Sequence, residues 1–210
     1  MEKCIFEIFG IRFEHLADWK IVPEHAMDFC FDRGFVRFEE NGNKGNSEIS
    51  LGIRWERVDT DNETFIKDFS ERIKAECQKK LKNRKDDFKI ISEDIIEGYD
   101  GQKMCCIVTQ FRATQGLVKV DKKMKALRII NTAYYCENSK RMIICSLIST
   151  PSKIENEMET FLDILKSVHS QQVFSPEAEE ARDLIYKENR EKVKLAAQKR
   201  FFPVFKQKNA

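Results

Sequence analysis

The chain lacks the short signatures that usually announce an enzyme. It contains no GxGxxG, no P-loop, no HExxH and no GxSxG. Dinucleotide binding, phosphate cradling, zinc proteolysis and serine hydrolysis therefore have no local anchor. It also has no CxxC pair and only three histidines, His15, His25 and His169, too few and too scattered to spell a zinc site. No segment approaches the roughly 18 to 20 uncharged apolar residues that cross a bilayer. The opening stretch MEKCIFEIFGIRFEH has neither the apolar run nor the small-residue cleavage site of a secretory leader. Internal repeats and low-complexity tracts are absent. These absences predict a soluble, cytoplasmic protein without a cofactor, and an enzyme is the less favoured class.

What is present is apolar material in quantity. Hydrophobic residues make up 41% of the 210, charged residues 34%, and the net charge is only +2. That suffices for one sizeable core under a highly charged surface. The balance by itself implies neither an acidic nor a nucleic-acid partner. Seven cysteines, most inside apolar runs, fit a reducing compartment.

The stretch from Met104 to Thr150 carries the architecture. Along MCCIVTQF, Met104, Cys106 and Val108 point one way, while Cys105, Ile107, Thr109 and Phe111 point the other. A hairpin around Asn138 and Ser139 places Ile129, Ala133, Tyr135, Ile144 and Ile148 on one face. Ile130, Tyr134, Ile143, Cys145 and Leu147 then share the opposite face. Strands apolar on both faces must be covered on both faces. EISLGIRWE alternates instead, with Ile49, Leu51, Ile53 and Trp55 inward and Ser50, Gly52 and Arg54 outward, as on a half-exposed strand. CIFEIFG, WKIV and MDFCFDRGFVRFEE read as short strands, and NGNKGNS as an exposed hairpin loop. TQGLVKVDKKMK reads as a polar, lysine-rich connection or a ragged hairpin end.

Three helices complete the pattern. Phe65, Phe69, Ile73, Cys77 and Leu81 recur every fourth residue behind a cap at Thr60 or Asp61. A second helix starts at Ser152, with Glu155 completing a capping box, and buries Ile154, Met158, Phe161, Leu162, Leu165 and Val168. Ser175 and Pro176 cap a third, running to about Arg200. The third is short of apolar positions beyond Tyr186. Residues 187–208 hold eight Lys/Arg against two Glu, whereas 177–183 hold four acids and one Arg. Both ends complement the helix dipole.

With GIRFEHLADWKI near the start, ISLGIRWE before the first helix, DGQKMCCIVTQF after the second turn and FLDILKSVHS at the close, the chain resembles the Mog1/PsbP-like superfamily, including its DcrB-type bacterial relatives. The resemblance covers about residues 3–170. It implies an α+β fold, an α/β/α sandwich around an antiparallel sheet; residues 171–210 lie outside it, as a separate basic helical extension. Members of that superfamily act mainly as non-enzymatic partners: a nuclear-transport GTPase-binding factor, and photosystem assembly or stabilising subunits. No functional residues transfer with it.

Candidate site residues follow from the remaining features. Cys30, on the polar side of MDFCFD, is the candidate reactive thiol, with His15 or His25 as a possible base. His15 and His25 are expected in turns, and His169 as a cation capping the second helix. Cys105 and Cys106 point to opposite faces and cannot chelate one metal together, and no metal is expected. The C-terminal arm presents Lys192, Lys194, Lys199, Arg200, Phe201, Phe202 and Phe205, with Lys206 and Lys208 beyond them. The favoured function is a binding or adaptor module using its sandwich surface and this arm, toward a protein partner or a second copy. One alternative is a ligand-binding protein or enzyme with a pocket near the N-terminal aromatic segment. Another is non-specific nucleic-acid association through the arm.

Overall fold

A computed structural model describes residues 2–22, 30–40, 48–83, 88–114, 124–171 and 174–201. The chain divides into two compact units, residues 1–172 and 173–210. The expected turns at 41–47 and 115–123, together with His25, Phe202, Phe205, Lys206 and Lys208, lie outside the described residues.

In the first unit, β1 (Lys3–Ile8), β2 (Ile11–Leu16) and β10 (His169–Ser170) form a small antiparallel sheet in the order β1-β2-β10. The main sheet has seven strands. They are β3 (Trp19–Val22), β4 (Arg33–Glu40), β5 (Ser50–Arg57), β6 (Phe88–Glu97), β7 (Lys103–Thr114), β8 (Met124–Cys136) and β9 (Arg141–Ser149). Their order is β3-β4-β5-β9-β8-β7-β6, and every pairing is antiparallel. Helix α1 (Asn62–Asn83) follows β5, and α2 (Pro151–Asn156) and α3 (Met158–Ser167) follow β9. The fold is α+β.

The register reproduces the faces read from alternation. Ile130 pairs with Leu147 and Tyr134 with Ile143, and these four pack with Met104, Cys106, Val108 and Cys145 in the larger core. Ile11 and Phe13 of the small sheet and Ile154, Phe161, Ile164 and Leu165 of α2 and α3 close that side. On the opposite face Cys105, Ile107 and Ala133 meet Phe69 of α1, with Phe65, Ile66 and Ile73 around them. Cys105 and Cys106 thus serve two different cores, as strand alternation requires.

Cover on the α1 side is narrower than the sequence predicts. α1 packs over β6, β7 and β8. On β9 the residues facing the same way, Ile144, Ser146 and Ile148, are only half-buried, as is Phe35 of β4, and Arg54 of β5 is exposed. One helix is about 10 Å wide with its side chains. Neighbouring strands lie nearly 5 Å apart, so a single helix blankets two or three of seven strands.

The caps are local in origin. The Asp61 carboxylate accepts from the Thr64 N–H at 2.8 Å and from the Thr64 hydroxyl at 2.8 Å. These bonds satisfy an orphan helix donor and hold the Asp61 carboxyl below its usual range. The second predicted helix is in fact two. Its cap is Thr150, whose hydroxyl accepts from the Lys153 N–H, with Pro151 in the first turn and not Ser152. The chain leaves helical geometry at Glu157 (φ −120°, ψ 18°) and restarts at Met158. The break re-aims α3 so that Phe161, Ile164 and Leu165 are all buried.

α1 is also tied to β6 by charge. Lys74 Nζ lies 2.7 Å from Glu93, and the Ser70 hydroxyl donates to the same carboxylate. Lys74 first, then Ser70, hold the Glu93 carboxyl below its ordinary value. A depressed carboxyl stabilises the fold above its unfolded pKa, and that contribution disappears as pH falls through the folded value. Both side chains are substantially exposed, so solvent screening limits the pair to a few tenths of a kcal/mol. Lys74→Met is therefore expected to cost a few tenths of a kcal/mol in urea melts at pH 7 and nothing at pH 2 to 3. An equal loss at both pH values would refute the ion-pair account.

The second unit is built on α4 (Pro176–Phe201). The Ser175 hydroxyl accepts from the Ala178 N–H at 3.3 Å, giving the cap read from the sequence. Arg182 lies over the Phe174 ring at 4.2 Å. Leu184 and Ile185 are each 59% exposed.

Candidate functional site

The N-terminal hairpin turns on Phe9 and Gly10, both at positive φ (49° and 71°). A two-residue turn of this kind matches the twist of paired strands. It puts Phe6, Ile8, Ile11 and Phe13 toward the core and leaves Ile5, Glu7, Arg12 and Glu14 on the outer face. After α3, Val168 adopts extended geometry (φ −68°, ψ 117°) and is buried. β10 then lies beside β2, with His169 opposite Arg12 and Ser170 opposite Ile11. The Gln171 N–H donates to the Gly10 carbonyl at 2.8 Å.

A cleft of about 140 Å³ opens on this outer face, lined by Ile5, Arg12, Phe13, Glu14, Tyr99, Ser167 and His169. Tyr99 reaches it from the 3-10 turn Tyr99–Gly101 between β6 and β7, and its ring stacks on His169 at 3.9 Å and 11°. The turn needs its glycines. Gly101 has φ +73°, and a Cβ on Gly98 would fall 2.3 Å from Met104 Sδ.

The polar groups of the cleft are held by main-chain atoms. The Ser167 hydroxyl donates to the Ile164 carbonyl at 2.7 Å and accepts from the Glu14 N–H at 2.9 Å. His169 Nδ1 lies 2.8 Å from the Ser167 carbonyl, and Gln171 Nε2 lies 3.3 Å from His169 Nε2. A carbonyl only accepts, so Nδ1 carries the proton. His169 therefore sits on a strand, not at the helix end as the sequence suggests, though it still satisfies a last-turn carbonyl of α3. Hydroxyl and imidazole bond to carbonyls and not to each other, so they form no nucleophile–base pair. Lys3 pairs with Glu14 at 3.0 Å, while Arg12 approaches Glu7 only to 3.9 Å.

Cys30 is elsewhere. It is half-buried, its N–H donates to the Arg33 carbonyl at 2.9 Å, and its carbonyl accepts from Trp55 Nε1–H at 3.0 Å. His15 is a half-buried residue of β2, not a turn, with its ring 5.0 Å from that of Phe38. Phe38 pairs with Leu51, four residues along β5 from Trp55, which is about 13 Å of strand. Cys30 and His15 are therefore not brought together. Burial raises the thiols of Cys105 and Cys106 to about 11 and that of Cys145 to about 12, so these behave as apolar filler. Among the described residues no three His, Cys, Asp or Glu side chains gather as metal ligands.

In the second unit, Lys192 is exposed and lies 4.0 Å from Glu188, one turn earlier. Lys194, Lys199, Arg200 and Phe201 fall within α4, and their side chains lie outside the described residues. Among the described residues no helix is long and apolar enough to cross a membrane.

No protein-family model and no curated protein matches the sequence. Among solved structures, the chain is similar to the solution structure of cyanobacterial PsbP (CyanoP) from Synechocystis sp. PCC 6803. The TM-score is 0.53 at 13% identity, over 81% of this chain and 92% of that one. The fold is PsbP/Mog1-like. A Pseudomonas aeruginosa protein of unknown function, PA94, is also similar, with a TM-score of 0.42 at 12% identity over 84% of this chain and 98% of that one. At such identities the PsbP/Mog1-like likeness concerns backbone architecture, and function must come from sites. The alternative of a pocket near the N-terminal aromatic segment anticipates the share of the cleft contributed by Ile5, Arg12 and Phe13, but not Tyr99 and His169, which come from the turn EGYDG and the segment SVHS about seventy residues apart.

Proposed function

We propose that this chain is a non-enzymatic binding or adaptor protein of the cytoplasm, with a PsbP/Mog1-like sandwich at residues 1–170 and a basic arm at 171–210 that docks on a protein partner or a second copy. The observation that carries this is the adjacent pair Leu184 and Ile185, each 59% exposed on a helix otherwise crowded with charge. Two neighbouring large apolar side chains left open to water mark a contact surface. The bonded-out hydroxyl and imidazole of the cleft agree with a non-catalytic role. Seven free thiols suit a reducing compartment.

The expected result of truncation is specific about its end point. A chain ending at Gln171 keeps β10 and the bond from Gln171 to Gly10. It should fold and melt within about 3 °C of the full protein, the range of a surface change below 1 kcal/mol. Leu184→Asp with Ile185→Asp in the full chain should abolish self-association in sedimentation velocity, or capture of the partner, without moving the melt. If both variants associate like the parent, the arm is not the docking element. The cleft favours a second reading, small-ligand binding near the N-terminal segment.

A further inference from the structure

We propose that the cleft on the outer face of β1, β2 and β10 binds a small carboxylate with a flat apolar body, about the size of benzoate. This rests on the ligand-binding reading of the cleft and does not involve α4.

Size comes first. An apolar cavity of about 150 Å³ holds one benzene ring, and this cleft measures about 140 Å³. Its walls combine Ile5 and Tyr99, which remain 59% and 51% exposed, with the His169 ring laid flat on Tyr99. Offset packing on such surfaces suits a planar apolar group.

Charge supplies the second half. Two ionised side chains line the cleft, and they are not equally satisfied. Glu14 has Lys3 at 3.0 Å, a hydrogen-bonded ion pair. The ion partner of Arg12 among the described residues is Glu7 at 3.9 Å, beyond hydrogen-bond reach. The unused hydrogen-bonding capacity is thus the guanidinium fork of Arg12, whose geometry matches a carboxylate with two parallel bonds. Ser167 already donates to Ile164, and His169 directs its Nδ1 proton to Ser167. Neither competes for the role of cation. A carboxylate on Arg12 leaves its apolar body between Ile5 and the stacked rings.

The same chemistry could come from a free acid or from a peptide ending in phenylalanine, and the probes separate these. Full-length protein labelled with nitrogen-15 is titrated with benzoate, benzamide, a tripeptide with a C-terminal Phe carboxylate, and that tripeptide as its amide. Saturable shifts are expected at the Arg12, Glu14, Ser167 and His169 amides. At least one carboxylate should bind at least tenfold more tightly than its amide. Arg12→Gln should erase that preference with the spectrum otherwise retained, and Tyr99→Ala should weaken acid and amide alike. Tighter binding of the peptide acid assigns the source to a chain terminus, and tighter binding of benzoate to a free metabolite. Equal affinity for acids and amides overturns the carboxylate assignment while leaving the cleft a ligand site. Absence of any saturable shift overturns both.

Discussion

Replacing Arg141 by methionine should destabilise the protein by about 3–5 kcal/mol, because it leaves three buried or part-buried neutral acceptors without their donor. Arg141 is fully buried at the start of β9. Its Nη1 donates to the Phe9 carbonyl at 2.8 Å and to the Phe31 carbonyl at 2.9 Å, and Nη2 donates to the Ser170 hydroxyl at 2.5 Å. The Ser170 hydroxyl passes its own proton to Ser139 at 2.7 Å. The guanidinium also lies 3.8 Å over the Phe31 ring. One side chain thus ties the main sheet to the β1–β2 turn, the segment before β4 and β10. Methionine fills similar space but strands three acceptors, each costing about 1–3 kcal/mol when buried and unpaired. The melt should fall by roughly 6–20 °C, at about 2–4 °C per kcal/mol for a chain of this size. Arg141→Lys should fare little better, because one ammonium nitrogen cannot span partners bonded by two different guanidinium nitrogens, nor lie flat over the Phe31 ring. A drop below 2 °C for Arg141→Met would show that the network is dispensable.

Gly34→Ala should cost about 3 kcal/mol, at the upper end of overpacking penalties. Gly34 pairs across strands with Trp55, and the indole lies over it. A Cβ there would stand 2.1 Å from Trp55 Cζ2 and 2.6 Å from Cε2 and Cη2. Trp55 cannot retreat. It is fully buried, and its Nε1–H is held by the Cys30 carbonyl. The strain should be specific to that contact. Trp55→Ala alone costs about 3–5 kcal/mol as a large-to-small change. In the Gly34→Ala background it should cost at least 1 kcal/mol less, a coupling expected of residues in direct contact. Strict additivity in the double-mutant cycle would mean that the backbone relieves the clash without involving the ring.

Much of the scaffold is legible before any coordinates are consulted. Alternation is a property of the strand itself, so the two faces of β8 and β9 follow from which residues are apolar. The four-residue recurrence of Phe65, Phe69, Ile73 and Cys77 likewise defines the buried stripe of α1, and Ser175 with Pro176 defines where α4 begins. The break at Glu157 was not legible. Ile154 and Phe161 lie on one stripe of a continuous helix, and only the shape of the surface they cover requires two shorter ones. His15 was misplaced for a related reason. Three of the six residues of β2 are apolar, Ile11, Phe13 and Leu16, but their partner β1 and their cover α3 come from opposite ends of the unit.

Residue order alone therefore determined which faces of the strands and of α1 are apolar, where α1 and α4 start, and that both faces of the central strands need cover. Tertiary structure decided how far that cover extends, why an arginine is buried, and where a cleft opens. Those outcomes depend on long-range closure, which brings residues 5, 12, 99 and 169 around one cleft. Periodicity reports only on neighbours along the chain, whereas a cleft and a buried cation are properties of surfaces that meet after folding.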